Sequence, residues 1–206
     1  MVLPAIEIMG TDIQNKLWAK KIQTGEYTAA YAQTELGHGS DVQSLATTAI
    51  YNPKTGNFTL NNPTVESYKW WPGELGVFAT HALVYAQIII GEKKHGVFPL
   101  FVQIRDIETH KLLPDIEAGD IGPKAGMHDK DNGFLIFRNV EVPRDALLGK
   151  YIKVTKEGKF ETRGNLKVMY SGMTTVRKGI LGHNAKAMAY ATLIALRYSY
   201  IRYFFI

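Results

Sequence analysis

Apolar residues recur at helical spacing early in the chain: Ile13, Leu17, Trp18 and Ile22 predict a short helix over residues 8–22, with Thr11 as its candidate N-cap. From about Ala29 the pattern shortens to that of strands. Residues 47–51 and 58–60 flank Asn52-Pro53-Lys54-Thr55-Gly56-Asn57, a turn sequence with proline early and glycine late, which predicts a hairpin. Residues 82–90, 97–104 and 133–140 read as further strands, and glycine and proline punctuate the chain as far as Pro143. Short strands so spaced favour a barrel or sandwich. Beyond a basic turn region over residues 153–163 the helical period returns. Met173, Val176, Ile180, Leu181, Ala185, Met188, Thr192, Ala195 and Tyr198 form an apolar stripe, with Lys178, Lys186, Arg197 and Arg202 largely off it. The predicted order is helix, β-domain, long helix. Such a helix needs a partner to bury its apolar surface. Both ends of the chain fall inside helical patterns, so the expectation is a piece of a longer protein.

Composition changes this picture little, but charge does. The net charge of +5 hides an asymmetry: residues 151–206 carry ten Lys/Arg against two Asp/Glu, and the first 150 carry 14 against 17. A basic C-terminal segment suits an anionic partner such as a phosphate-bearing cofactor, unless it is simply a solvated helix face. The segment lacks aromatic residues arranged to stack on bases, and no nucleic-acid partner is expected. Without cysteine, disulfides and thiolate metal sites are excluded. The histidines, at 38, 81, 95, 110, 128 and 183, show no HxxxH or HxH spacing, so no metal site is expected. No signal peptide, Ser-Lys-Leu ending or membrane span is read from the sequence.

Two segments carry candidate chemistry. Tyr31-Ala32-Gln33-Thr34-Glu35-Leu36-Gly37-His38-Gly39-Ser40-Asp41 reads as a strand end entering a glycine-containing loop with hydroxyls at Thr34 and Ser40. Such a loop suits an electron-rich ring or a phosphate, and equally an ordinary turn. In Lys69-Trp70-Trp71-Pro72-Gly73-Glu74, paired tryptophans could wall an aromatic cofactor or simply fill the core at a strand end.

Taken with GDIGPKAG (119–126), DNGFL (131–135) and VPRDALL (142–148), the segments AQTELGHGS (32–40) and NPTVESYKWWPG (62–73) stand in the order and spacing of the peroxisomal acyl-CoA oxidases, which the chain resembles from about Gly10 to Arg202. The resemblance implies an α+β fold in which a central β-barrel-like domain (29–150) follows the end of an N-terminal helical domain (1–28). A linker and the start of a C-terminal helical domain (151–206) come after it. It implies FAD as cofactor, with Thr34 hydrogen-bonded to the flavin ring, Glu35, Leu36 and Gly37 continuing that wall, and Gly39, Ser40 and Gly73 close by. Tyr170 and Arg177 match the segment that touches acyl-CoA, and Arg202 an arginine that reaches FAD of the neighbouring subunit in a homodimer. Glu74 stands where glycine is usual, and Phe204-Phe205-Ile206 depart from the family's run beyond Arg202.

The activity implied is conversion of acyl-CoA to 2-trans-enoyl-CoA, with molecular oxygen reduced to hydrogen peroxide, in the peroxisome. Its catalytic base would be a glutamate beyond Ile206, so no catalytic residue is assigned within the chain. Alternatives are an acyl-CoA dehydrogenase, which GHGS and WWPG disfavour, and a non-catalytic remnant.

Overall fold

The computed structural model describes residues 1–166, 171–202 and, among the latter, side-chain environments at 174 and from 177 onward. It falls into two compact units, Met1–Leu166 and Lys167–Ile206.

The first unit opens with α1 (Val2–Met9), α2 (Asp12–Gln14), a π-helical turn (Asn15–Ala19) and α3 (Lys20–Gln23). The helix expected over 8–22 therefore begins later than predicted, and α1 precedes it. Gly10 divides them because a Cβ there would lie 2.6 Å from the Ile6 carbonyl oxygen. Thr11 is the N-cap: its hydroxyl accepts from the Gln14 N–H and the Gln14 side chain accepts from the Thr11 N–H, a reciprocal capping box.

Eleven strands follow: β1 (Ala29–Ala32), β2 (Thr48–Asn52), β3 (Asn57–Asn61), β4 (Lys69–Gly73), β5 (His81–Ile90), β6 (Lys93–Gln103), β7 (Ile116–Asp120), β8 (Asn132–Phe137), β9 (Val140–Val142), β10 (Ile152–Val154) and β11 (Phe160–Thr162). β5 organises the larger sheet. One edge pairs along its length with β6, and the other pairs in parallel with β1 at residues 81–84 and with β2 at 87–90. Its residues 81–86 are all buried, as a strand covered on both faces requires. The predicted hairpin is β2–β3, antiparallel and in register from Thr48↔Asn61 to Asn52↔Asn57, extended at its far edge by β9.

A second sheet runs β4-β8-β7. The Asn62 side chain accepts from the Phe137 N–H at 2.7 Å and ties the end of the β2–β3 hairpin to β8. A bridge between Glu35 and Lys69 joins the segment after β1 to β4. Seamed in this way, the two sheets form a curled half-barrel around Phe58, Leu60, Leu83, Ile88, Leu100, Leu135 and Phe137, all under 2% exposed. The region predicted as a basic turn instead contains the hairpin β10–β11.

Another glycine is required by close approach. A Cβ on Gly133 of β8 would lie 2.5 Å from the Gly76 nitrogen and 2.7 Å from the Gly119 oxygen. Both obstacles are backbone, so Gly133→Ala is expected to destabilise the unit by about 2 kcal/mol, measurable as a lower urea midpoint. An unchanged midpoint would mean that these strands are free to separate.

The second unit contains α4 (Ser171–Ile201). Tyr190, Leu193, Ile194, Leu196, Tyr198, Tyr200 and Ile201 are all exposed. With the predicted stripe they place apolar residues around much of the circumference rather than on one face, the composition of a helix buried on several sides.

Candidate functional site

β1 ends at Ala32, and the chain continues extended through Thr34 and Glu35 alongside β4. Glu35 and Lys69 are antiparallel bridge partners, and the Trp70 N–H donates to the Thr34 carbonyl at 3.0 Å. Because side chains alternate across a strand, Glu35 and Lys69 point to one face and Thr34 and Trp70 to the other. The inward pair is fully buried. The Thr34 and Trp70 face is half-open to solvent, and the Trp70 ring stacks on Phe134 at a centroid distance of 6.2 Å. The structure thus brings together the two segments singled out in the sequence.

Thr34 is half-buried, and its hydroxyl makes no hydrogen bond among the described residues. Leu36 is exposed at 48%, its N–H held by the Tyr68 carbonyl. Gly37 donates to the Glu66 carbonyl, and a Cβ there would meet the Glu66 side chain at 2.7 Å, so this glycine answers to packing against the 65–67 turn. Nothing lies within 4 Å of the corresponding position at Gly39, and Ser40 is exposed.

Glu35 turns its carboxylate away from this surface. One oxygen accepts from Lys69 Nζ (3.0 Å), the Thr47 N–H (2.9 Å) and the Thr47 hydroxyl (2.5 Å); the other accepts from the Ala46 N–H (2.8 Å) and lies 3.0 Å from His38 Nδ1. Its own N–H and carbonyl pair with His38. Burial pushes the Glu35 carboxyl up, but the Lys69 charge and the Thr47 and Ala46 hydrogen bonds outweigh it and leave the group below its ordinary range. Burial drives Lys69 down to about 8 against the pull of Glu35.

At the other end of β4 the backbone is unusual. Trp71 (φ 79) and Glu74 (φ 70) both lie in the left-handed region, which is the physical reason a glycine suits position 74. Glu74 forms an ion pair with Lys130. The space a side chain on Gly73 would take is filled by the end of that lysine, with Cε at 3.0 Å and Nζ at 3.1 Å. That space is therefore taken by a flexible, partly exposed stem. The following loop is held from two sides. Arg105 donates to the carbonyls of Leu75, Gly76 and Ala79, and Asp131 accepts from the amides of Val77 and Phe78. Neither Lys69 nor Arg105 was singled out in the sequence; the signal available was only a cation at each end of an apolar run.

Arg177 and Arg202 are exposed residues of the second unit, and Arg202 donates to the Tyr198 hydroxyl at 2.9 Å. Tyr170 lies outside the described residues. A separate cleft of about 390 Å³, lined in part by Leu17, Trp18, Arg144, Lys153 and Arg163, includes none of the candidate residues. Among the described residues no cluster of three His, Asp or Glu could hold a metal ion, and no helix is long and apolar enough to cross a membrane.

Residues 30–140 match the acyl-CoA dehydrogenase middle domain, and the chain belongs to that family. Within it, the resemblance is to oxidases. Peroxisomal acyl-coenzyme A oxidase 1 of Arabidopsis thaliana is 44% identical over 98% of this chain, and that of Rattus norvegicus 43% identical over 98%. The chain spans about a third (31%) of the length of these curated relatives. The structure of Arabidopsis thaliana acyl-CoA oxidase 1 superposes with a TM-score of 0.96 at 44% identity, covering 100% of this chain and 32% of that one. That of acyl-CoA oxidase-2 from Caenorhabditis elegans, bound with FAD, ascaroside-CoA and ATP, gives 0.94 at 39% identity, covering 98% and 30%.

Proposed function

We propose that this chain is the flavin-facing middle portion of a peroxisomal, homodimeric acyl-CoA oxidase that converts acyl-CoA to 2-trans-enoyl-CoA and reduces oxygen to hydrogen peroxide. The observation that carries the reading is the open face shared by Thr34 and β4, in a chain whose relatives are named acyl-CoA oxidases. FAD fits what stands there. A Thr34 hydroxyl with no partner among the described residues suits the polar edge of an isoalloxazine, and exposed Leu36 suits its apolar face. Bound FAD would supply the acceptor for the hydride leaving the β-carbon of the acyl chain.

The residues of this chain bind and orient. Thr34 donates a hydrogen bond toward the ring; Gly37 lets the loop close on the 65–67 turn, and Gly39 and Ser40 leave open backbone beyond it. Gly73 keeps the end of β4 free of a side chain of its own. Arg202 serves the cofactor pyrophosphate across the dimer, and Tyr170 and Arg177 serve the CoA moiety. Glu35 cannot take the α-proton, because its carboxylate is buried and both of its oxygens are engaged. The base is a glutamate outside these 206 residues.

The test is peroxide release on addition of acyl-CoA without any other electron acceptor. The intact protein is expected to form peroxide, and Gly73→Thr, which displaces the Lys130 stem, to lower that rate by about ten- to a hundredfold. Enoyl-CoA formation that requires an added acceptor would make the protein a dehydrogenase instead.

A further inference from the structure

The cross-strand pair Glu35–Lys69 has no chemical part in the reaction above, yet it is the most completely coordinated charge pair among the described residues. Both side chains are 0% exposed. Lys69 Nζ donates to Glu35 Oε1 (3.0 Å), the Gln33 carbonyl (3.2 Å) and the Tyr85 carbonyl (2.6 Å), which engages all three ammonium protons. Glu35 in turn gathers the amides of Ala46 and Thr47 and the Thr47 hydroxyl. Two side chains thereby fasten the 33–38 loop, the 46–47 segment, β4 and β5 at one point. Asn62 extends the network: its side chain donates to the Thr47 hydroxyl (3.0 Å) and accepts from β8 at Phe137.

Stability is a poor explanation for such a pair. Desolvating two charges costs about as much as their attraction returns, and apolar replacements of similar volume are often neutral or stabilising. What a buried pair does specify is register. Here it fixes one alignment of the extended 34–35 segment against β4, with Thr34 and Trp70 on the outer face.

We infer that Glu35 and Lys69 are positioning residues for the flavin: by locking the inner face of this strand pair they set the outer Thr34–β4 surface as one rigid wall. The inference rests on the reading of that wall as flavin-facing. It differs from that reading in assigning the pose of the cofactor to residues that never touch it.

The experiment compares wild type, the paired Glu35→Leu/Lys69→Met variant, the milder Thr47→Val and the control Thr34→Ala, all in the intact protein. Three readouts are taken: the thermal midpoint of the apoprotein, FAD affinity by flavin-fluorescence quenching, and visible circular dichroism of bound flavin. The paired variant is expected to have a lowered thermal midpoint, because the Gln33 and Tyr85 carbonyls and the Ala46 and Thr47 amides lose their partners, while FAD affinity falls at least about tenfold, beyond what the lowered midpoint accounts for, and the dichroism of the flavin bands changes. Thr47→Val is expected to move affinity and dichroism in the same direction by less. Wild-type affinity and dichroism in the paired variant, with Thr34→Ala weakened, would overturn the positioning role and leave the wall intact. Loss of affinity only in proportion to a lowered thermal midpoint, with dichroism unchanged in Thr47→Val, would reduce the pair to a structural one and equally overturn it. No FAD binding by wild type, or full binding by Thr34→Ala, would instead remove the flavin reading on which the inference stands.

Discussion

Arg105→Met is expected to destabilise the first unit by about 4 kcal/mol, the largest single effect foreseen for a residue outside the Thr34–β4 surface. Arg105 is 4% exposed, and its guanidinium bonds to Ala79 O at 2.7 Å and to Leu75 O and Gly76 O at 2.9 Å each. Methionine fills much of the same volume but leaves three carbonyls without donors, at about 1–3 kcal/mol for each buried group left unmade. The segment from Gly73 to Ala79 would keep the Asp131 carboxylate at the Val77 and Phe78 amides, the Thr28 hydroxyl at the Phe78 carbonyl and His110 against the Val77 carbonyl, none of which reaches the carbonyls that Arg105 leaves. Arg105→Lys is expected to recover less than half of the loss, since one ammonium on a single stem cannot reach carbonyls that the planar fork spans from two nitrogens. Urea unfolding checks both variants. A midpoint for Arg105→Met within about 1 kcal/mol of wild type would show that water replaces the guanidinium at little cost.

How much of this was legible beforehand depended on whether local pattern or long-range contact decided the element. The β2–β3 hairpin was readable because alternation and turn chemistry agree within fifteen residues, 47–61, and Thr11 because a capping box is complete within four. β4 was not read as a strand. Pro72 and Gly73 read as turn residues, and Trp71 adopts φ 79, which no alternation rule anticipates; its place is set by pairing with β8, some sixty residues on. β10 and β11, three residues each, hold too few apolar positions to rise above a basic background.

In the site the same division holds. Thr34 and Gly73 could be selected by resemblance, and the structure sets their segments side by side. Lysine is so seldom buried that Lys69 could not be chosen from composition. The inward turn of the Glu35 carboxylate is not legible in the sequence, because the buried positions of β1 are Ala30 and Ala32, and their parity would send Thr34 in and Glu35 out. The antiparallel bridge of Glu35 to Lys69 sets the alignment instead, a long-range pairing that puts those two side chains on one buried face.

Acidification supplies the second large effect, at the junction of the N-terminal helices with β5. His81 is 5% exposed, stacked between Tyr27 (centroids 4.0 Å apart) and Phe101 (5.0 Å), and Trp18 packs on the far ring of that column. Its Nδ1 lies 2.9 Å from the Thr80 hydroxyl, and the charge it faces is Lys21, whose ammonium sits 4.6 Å from the Tyr27 ring centre. Burial first, and then Lys21, lower the imidazole to about 4 from its ordinary 6.5. Between those values the unfolded chain binds a proton that the folded chain refuses. The stability contributed by the neutral ring is therefore complete above pH 6.5 and is lost as pH falls toward 4. The full span corresponds to about 3 kcal/mol, of which about 2 kcal/mol is gone by pH 5. His81→Phe keeps a ring in the stack and removes the titration. Urea unfolding at pH 7.5 and pH 5 should show wild type losing about 2 kcal/mol more than His81→Phe over that interval. Equal losses in the two proteins would place the acid sensitivity on the carboxylates instead. The expected difference assigns that part of the unit's acid sensitivity to the buried ring of the aromatic column.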